Sequence, residues 1–548
     1  MCKFLFFILF PVFVFAQDVT FQLEKSILFE DDYKETEIVL AEKFDQSNFI
    51  ILRSFKSGVS TKSGFYLEKY NISLKKISEF EFNIEHPRYE KYSVVLGAFF
   101  SQSKVYILEM FYDLKSKNYV CQANIIDENY KVVKKELFHL SKDEVKGFGL
   151  QSLFYNADKI NLNNLGLFEQ EKESIWNEVF SNPFKNKTSV SDNKSSSELV
   201  LKVNKGKTLF SIAMTFEYDN ESLMKLFLFD TNLNKKIEKD FVSEEGQVIN
   251  KNIELHDSLE EIYLTQKVYS DDLKNKKEGG KYFYEIKKVT PNDLQTQKIE
   301  VENHYLPALT VFYNESNLYG IGFYSDVKDL KYSGISYFKI NSENLELKSA
   351  KYNLFNEQFI LDKYGKLKDK EFRYMVVKNV FWNSNNDLSI NAEEVYSVAA
   401  NSSTSIGINK NDTYYNYDDI IAINLDSNGE LIAARNINKK QAVYKSQDKS
   451  YVSYTSLMLN DKNYFFINTR EKIGELSNDR IEFEGTRKNN SYLNVISVNK
   501  NGDFNFKEIV NKEDTEVPFM VSKGIVIDNS VIFLGQKGKN KQLLKVTL

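Results

Sequence analysis

The chain has 548 residues, 72 basic against 77 acidic side chains for a net charge of −5, and it is rich in Phe (43) and Tyr (33) with only 6 Pro. Both signs of charge are scattered and no basic stripe occurs, which argues against nucleic acid as a partner. Only Cys121 lies beyond the first few of its residues, so no internal disulfide is available there and stability must come from packing.

The N-terminus opens with Lys3, the apolar run Phe4 to Phe15, and Val14-Phe15-Ala16 ahead of Gln17. A positive start, an apolar stretch too short to span a bilayer and small residues before a polar one predict a signal peptide, residues 1–16. No Cys follows that run where a lipid anchor would need one. No later segment has the apolar length of a transmembrane helix, so a soluble, exported mature chain is expected, periplasmic or extracellular. Cys121, in Tyr-Val-Cys-Gln-Ala, reads as a buried strand residue.

From there four-stranded sets recur. The first runs Glu37 to Glu42, Asn48 to Phe55, Gly64 to Asn71 and Leu74 to Phe82. The second runs Ser93 to Phe100, Val105 to Tyr112, Tyr119 to Asp127 and Tyr130 to Phe138. The third begins at Glu198 and ends at Phe241. The fourth has a first strand near Ile253 and ends at Val301. The fifth spans Ala308 to Tyr352, the sixth Tyr374 to Asn436, and the seventh Tyr451 to Val510. The last set, Phe519 to Leu548, is one strand short, and Val19 to Leu23 can supply it. Such a repeat predicts an all-β fold: a β-propeller of eight antiparallel blades, with seven the alternative, closed by the N-terminal strand. A β-sandwich pair or a β-solenoid is the structural rival. Residues 17–548 read as one propeller domain.

Turns between third and fourth strands are rich in Asn, Asp and Gly, as in Asp426-Ser427-Asn428-Gly429 and Asn499-Lys500-Asn501-Gly502. They lack the acidic alternation of calcium loops. The links from first to second strand are short, whereas those from second to third are long: Ser270 to Gly280, Ser325 to Tyr332, Ser397 to Asn416 and Glu471 to Asn490. The insertion 140–197 falls on the same face, with a helix expected over Leu165 to Phe180 and a flexible stretch from Lys185 to Ser197. Loops on a rigid scaffold are where function concentrates, so this face is the expected working face.

The four His, at 86, 139, 256 and 304, show no metal-ligand spacing, and no nucleophile elbow, phosphate loop or dinucleotide fingerprint occurs. No catalytic residue, metal site or cofactor is assigned. Candidate binding residues are Tyr414, Tyr415 and Tyr417, the adjoining Asp418 and Asp419, and Trp176 in the insertion, because aromatic rings suit sugar or peptide surfaces.

At Leu318 to Tyr324, at Tyr414 to Asp426 continuing through Asn438-Lys439-Lys440-Gln441, and at Ile527 to Leu548, the chain resembles a family of exported bacterial, propeller-like proteins of unassigned function. The resemblance implies the fold and brings no functional residue. The expectation from these observations is an exported, non-catalytic binding or scaffold protein of the envelope, engaging a protein or glycan through its long-loop face. The alternative is a glycan-cleaving hydrolase with carboxylates at the channel mouth.

Overall fold

The computed structural model describes residues 20–56, 63–84, 93–141, 144, 197–218, 221–244, 247–270, 281–301, 303–326, 331–367, 372–403, 409–444, 447–470, 474–476, 480–484, 492–511 and 513–548. The expected signal peptide, His86, Trp176, and most of the insertion lie outside them.

Eight antiparallel sheets follow one another along the chain, over 35–83, 93–141, 197–244, 248–299, 310–354, 375–440, 454–510 and 525–547. In most of them the second and third strands are largely buried on both faces while the fourth alternates, the fourth strand of the sixth blade, Leu431–Lys440, being buried along most of its length. Lys104–Asp113 is almost continuously buried, whereas Lys76–Asn83 reads exposed at every second residue until Phe82. Double burial follows because each blade is packed between two others. The apolar cores prove the ring: eight clusters exist, and each unites one pair of neighbouring blades. The pair closing the circle joins Ile38, Ile51 and Leu74 of the first blade to Ile532, Leu534 and Leu543 of the eighth. Gln22–Lys25 pairs antiparallel with the last strand, Gln22 opposite Thr547, and so supplies the missing outer strand of the eighth blade. The eight-bladed propeller with N-terminal closure is thus the observed fold. Cys121 is buried in the core between the second and third blades.

The hairpins between third and fourth strands share one device. Asn71, Asp127, Asp426 and Asn499 each accept the backbone N–H groups two and four residues ahead, closing an Asx turn. The residue three ahead then turns left-handed: Leu74 (φ 58°), Tyr130 (63°), Gly429 (84°) and Gly502 (91°), with Leu233 (64°) and Leu345 (58°) playing the part in the third and fifth blades. A non-glycine residue there costs about 1–2 kcal/mol. Leu74, Leu233 and Leu345 offset it by entering the cores between blades, since burying a Leu contributes about 1.5–3 kcal/mol. Glycine is needed where a ring already fills the space: a Cβ on Gly429 would lie 2.1 Å from the Tyr337 ring.

The sixth blade departs from the repeat. Its middle strands, Leu388–Ser403 and Asn409–Leu425, remain paired out to Ser403 opposite Asn409. The stretch expected as the loop Ser397 to Asn416 is therefore mostly a ladder projecting from the blade. In sequence the run Asn401 to Thr413 is polar at most positions and lacks the apolar alternation that marks a strand. Gly474–Leu476 and Arg480–Glu484, expected as part of a seventh-blade loop, instead extend the sixth sheet, the latter parallel to its fourth strand. A helix, α1 (Glu357–Tyr364), links the fifth blade to the sixth.

Candidate functional site

Charge is concentrated on both faces of the sixth blade. On the side toward the fifth blade, α1 positions a network. Asn356 caps its start by accepting from the Phe359 amide at 3.0 Å, and Gly365 (φ 67°) ends it. Phe359 and Ile360 anchor the helix in the core between blades five and six. That orientation points Asp362 at Arg435, at 2.7 and 3.1 Å, and Lys363 at Glu394 (2.6 Å) and Asp419 (3.0 Å). Asp419 also accepts from the Asn436 side chain (2.9 Å) and the Lys439 amide (3.0 Å). Asp418 accepts from the Tyr396 hydroxyl at 2.6 Å.

Three carboxylates around one ammonium do not all ionise alike. Burial pushes Glu394 up to about 7, with Lys363 opposing and Asp419 and Asp418 adding to the rise. Burial likewise raises Asp418, against the Tyr396 hydrogen bond. Burial disfavours the charge on Lys363, but Asp419 and Glu394 outweigh it and hold the ammonium protonated.

The opposite side, toward the seventh blade, holds a second network. The first strand of the sixth blade carries a β-bulge that inserts Lys378 between the paired residues Val377 and Asn379. The Lys378 ammonium reaches Glu393 at 3.0 Å and the Ser453 hydroxyl oxygen at 2.5 Å. Ser453 in turn donates to Glu393 at 2.6 Å. Lys439, fully buried, pairs with the other Glu393 oxygen and with Gln441 at 3.2 Å. Burial resists the ionisation of Glu393, yet Lys378 and Lys439 hold its carboxyl below the usual range. Lys439 is lowered, by burial first and by Lys378 as well, with Glu393 opposing. Ser453 stands immediately before the first strand of the seventh blade with φ 67°, a conformation shared by Tyr374 (φ 59°) at the same position of the sixth.

Of the candidates expected from sequence, Tyr414 packs against Tyr444 with ring centres 4.1 Å apart and planes tilted by 40°, and Tyr415 lies under the Lys449 ammonium at 3.6 Å. Tyr414, Tyr415 and Tyr417 are half-buried rather than an open aromatic surface. Asp418 and Asp419 belong to the α1 network. The residues missed are Lys378, Glu393, Lys439, Gln441 and Ser453. The doublet Glu393-Glu394 in the middle of a strand is the one signal in their favour. Among the described residues, no group of three or more His, Cys, Asp and Glu is placed to hold a metal, and no helix is long and apolar enough to cross a membrane.

The ring places the chain in the class of β-propellers. No family model matches it, and no curated protein matches it in sequence, so the expected exported bacterial family rests on the sequence resemblance alone. Solved structures do match. An acylaminoacyl peptidase from Pyrococcus horikoshii has 7% identity and a TM-score of 0.34 over 91% of this chain and 57% of its own. Prolyl oligopeptidase B from Galerina marginata has 8% and 0.36 over 91% and 55%. The β-propeller domain of the Trilobed protease from Pyrococcus furiosus has 11% and 0.23 over 63% and 93%. The chain thus spans little more than half the length of the two whole peptidases. These matches correct the functional expectation. The chains named are peptidases, so neither the non-catalytic binding or scaffold protein nor the glycan-cleaving alternative is retained. The likeness itself concerns the fold and carries no activity over.

Proposed function

We propose that this protein is a hydrolase working by acyl transfer, with Ser453 as nucleophile, Glu393 as proton acceptor and Lys378 as the cation beside the attacking oxygen. One observation carries the reading: the Ser453 Oγ lies within hydrogen-bond distance of both a carboxylate (2.6 Å) and an ammonium (2.5 Å). A hydroxyl is a weak nucleophile until a base takes its proton and a positive charge stabilises the oxygen. Glu393 is suited to the first task because Lys378 and Lys439 keep it ionised inside the protein.

The step follows from these positions. The Ser453 oxygen adds to the carbonyl carbon of an ester or amide as its proton passes to Glu393. Glu393 then returns that proton to the leaving group, whose bond to the carbonyl breaks. Water attacks the resulting acyl-serine, gives a proton to Glu393, and the acid departs while the Ser453 oxygen is reprotonated. Ser453, Glu393 and Lys439 are all buried in the protein, where charges interact more strongly than in water. The Lys378 side chain keeps 21% of its surface exposed and forms the solvent side of the trio.

The test is hydrolysis of p-nitrophenyl acetate by the full chain. Ser453→Ala is expected to abolish turnover above background, and Lys378→Met to lower kcat about 100-fold. Turnover by Ser453→Ala equal to that of the unaltered protein would rule the assignment out.

A further inference from the structure

We infer that Gln441 is a positioning residue that holds Ser453 in its reactive orientation, an inference that rests on the acyl-transfer reading above. Gln441 follows the fourth strand of the sixth blade and is buried. Its side-chain oxygen accepts from the Ser453 backbone amide at 2.8 Å and from the Lys439 ammonium at 3.2 Å. Its amide nitrogen donates to the Asn468 carbonyl at 2.9 Å. Asn468 in turn donates to the carbonyls of Tyr451 (3.2 Å) and Phe519 (2.8 Å). Gln441 therefore ties the sixth blade, the seventh blade and the segment leading into the eighth to one backbone amide.

That amide belongs to a residue in an unfavourable conformation. Left-handed backbone is unfavourable for a non-glycine residue and persists only when its surroundings over-determine it. Three restraints do so here. Asp448 accepts from the Ser450 amide at 2.9 Å, the Val452 amide donates to the Lys449 carbonyl at 3.3 Å, and Gln441 takes the Ser453 amide. The first two shape the turn before Ser453; the Gln441 bond is the one made to the Ser453 backbone amide. Without it, the serine can relax toward extended backbone and swing its oxygen away from Glu393 and Lys378. Because the same Gln441 oxygen also accepts from Lys439, it fixes the ammonium that holds Glu393. Nucleophile and base are thus aligned by one side chain that touches neither the substrate nor the reacting oxygen.

The experiment uses the full chain and an alkyl fluorophosphonate, which phosphonylates an activated serine oxygen as fluoride leaves and the serine proton passes to Glu393. Adduct formation at Ser453 is followed by mass spectrometry over a range of probe concentrations, separating the limiting rate kinact from the binding constant KI. Gln441→Met is expected to lower kinact about tenfold with KI unchanged, because alignment is lost and probe binding is not. Gln441→Glu, whose carboxylate still accepts from Ser453 and Lys439, is expected to retain more of kinact than Gln441→Met. Should Gln441→Met fail to fold, Gln441→Ala replaces it. A folded loss variant with kinact equal to the unaltered protein, or one altered only in KI, overturns the role of Gln441 alone. Absence of any Ser453 adduct on the unaltered protein overturns the acyl-transfer reading, and Gln441 with it.

Discussion

Ring closure depends on one buried cation. Arg53, in the second strand of the first blade, is fully buried, with Asp31 at 2.6 and 3.1 Å and Glu68 at 2.8 Å through each of two nitrogens. Asp31 ends the segment that carries the closing strands: its amide donates to the Lys539 carbonyl, Phe29–Glu30 pairs with Asn540 and Lys541, and Gln22–Lys25 pairs with the final strand. Substituting Asp31→Ala removes one of two counter-ions from a cation that cannot reach water. Breaking a buried pair costs about 3–5 kcal/mol, and the remaining Glu68 places this case near 3. The loss should be local, because Asp31 holds the N-terminal segment against the first blade while the other seven interfaces are untouched. Guanidinium unfolding gives the total, and hydrogen exchange read by mass spectrometry gives the place. Amides of 22–30 and 540–547 are expected to exchange about 100-fold faster in the variant. Lys43→Ala provides the contrast, since its partner Asp528 is exposed and the pair contributes under about 0.5 kcal/mol. If Asp31→Ala destabilises by less than about 1 kcal/mol, or leaves exchange in those segments unchanged, the latch argument is wrong.

Two further outcomes follow from particular positions. Gly429→Ala brings a Cβ against the Tyr337 ring at φ 84° and is expected to destabilise by about 2–4 kcal/mol in chemical denaturation. Gly538→Ala, at φ 64° with nothing within 4 Å, should lose only about 1 kcal/mol. His256 accepts from the Ser258 and Leu259 amides through Nδ1 and meets the Tyr313 hydroxyl through Nε2, and burial lowers its pKa below 6.5. Below that value the unfolded chain takes up a proton that the folded one resists. Stability should therefore fall as pH drops from about 6.5 and flatten once the folded imidazole also titrates, a dependence that His256→Asn removes. Equal pH profiles for the two proteins would exclude His256 as the cause.

The blades were legible because what makes them is local. Alternation in the outer strands, doubly apolar middle strands and Asx turns each lie within about ten residues. The left-handed leucines were not legible, since a turn reader looks for glycine there, and Leu74 or Leu233 is tolerated only because a neighbouring blade buries it. The paired arms of the sixth blade were missed for the converse reason: their hydrogen-bond ladder needs no apolar face. The site residues are hidden by distance along the chain. Ser453 is 60 residues from Glu393 and 75 from Lys378, and Lys439 is 46 from Glu393. No short motif spans such separations, so only the ring brings them together.

Glu393 and Glu394 show why adjacent carboxylates on one strand take different roles. Successive side chains of a strand point to opposite faces, so the first enters the interface with the seventh blade and the second the interface with the fifth. Glu393 meets two ammonium groups and a hydroxyl and stays charged. Glu394 shares one ammonium with Asp419, stands near Asp418, and titrates at about 7. A proton acceptor must be ionised before the reaction begins, and Glu393, held below the usual carboxylate range by Lys378 and Lys439, meets that condition near neutrality. It is also the one that a nucleophilic oxygen touches. The α1 network has a titratable acid, Glu394, held by the Lys363 ammonium. The acyl-transfer reading therefore rests on the side of the sixth blade where a fixed charge and a weak nucleophile meet, while α1 holds the same strand through Lys363 and Glu394 and the fourth strand through Asp362 and Arg435.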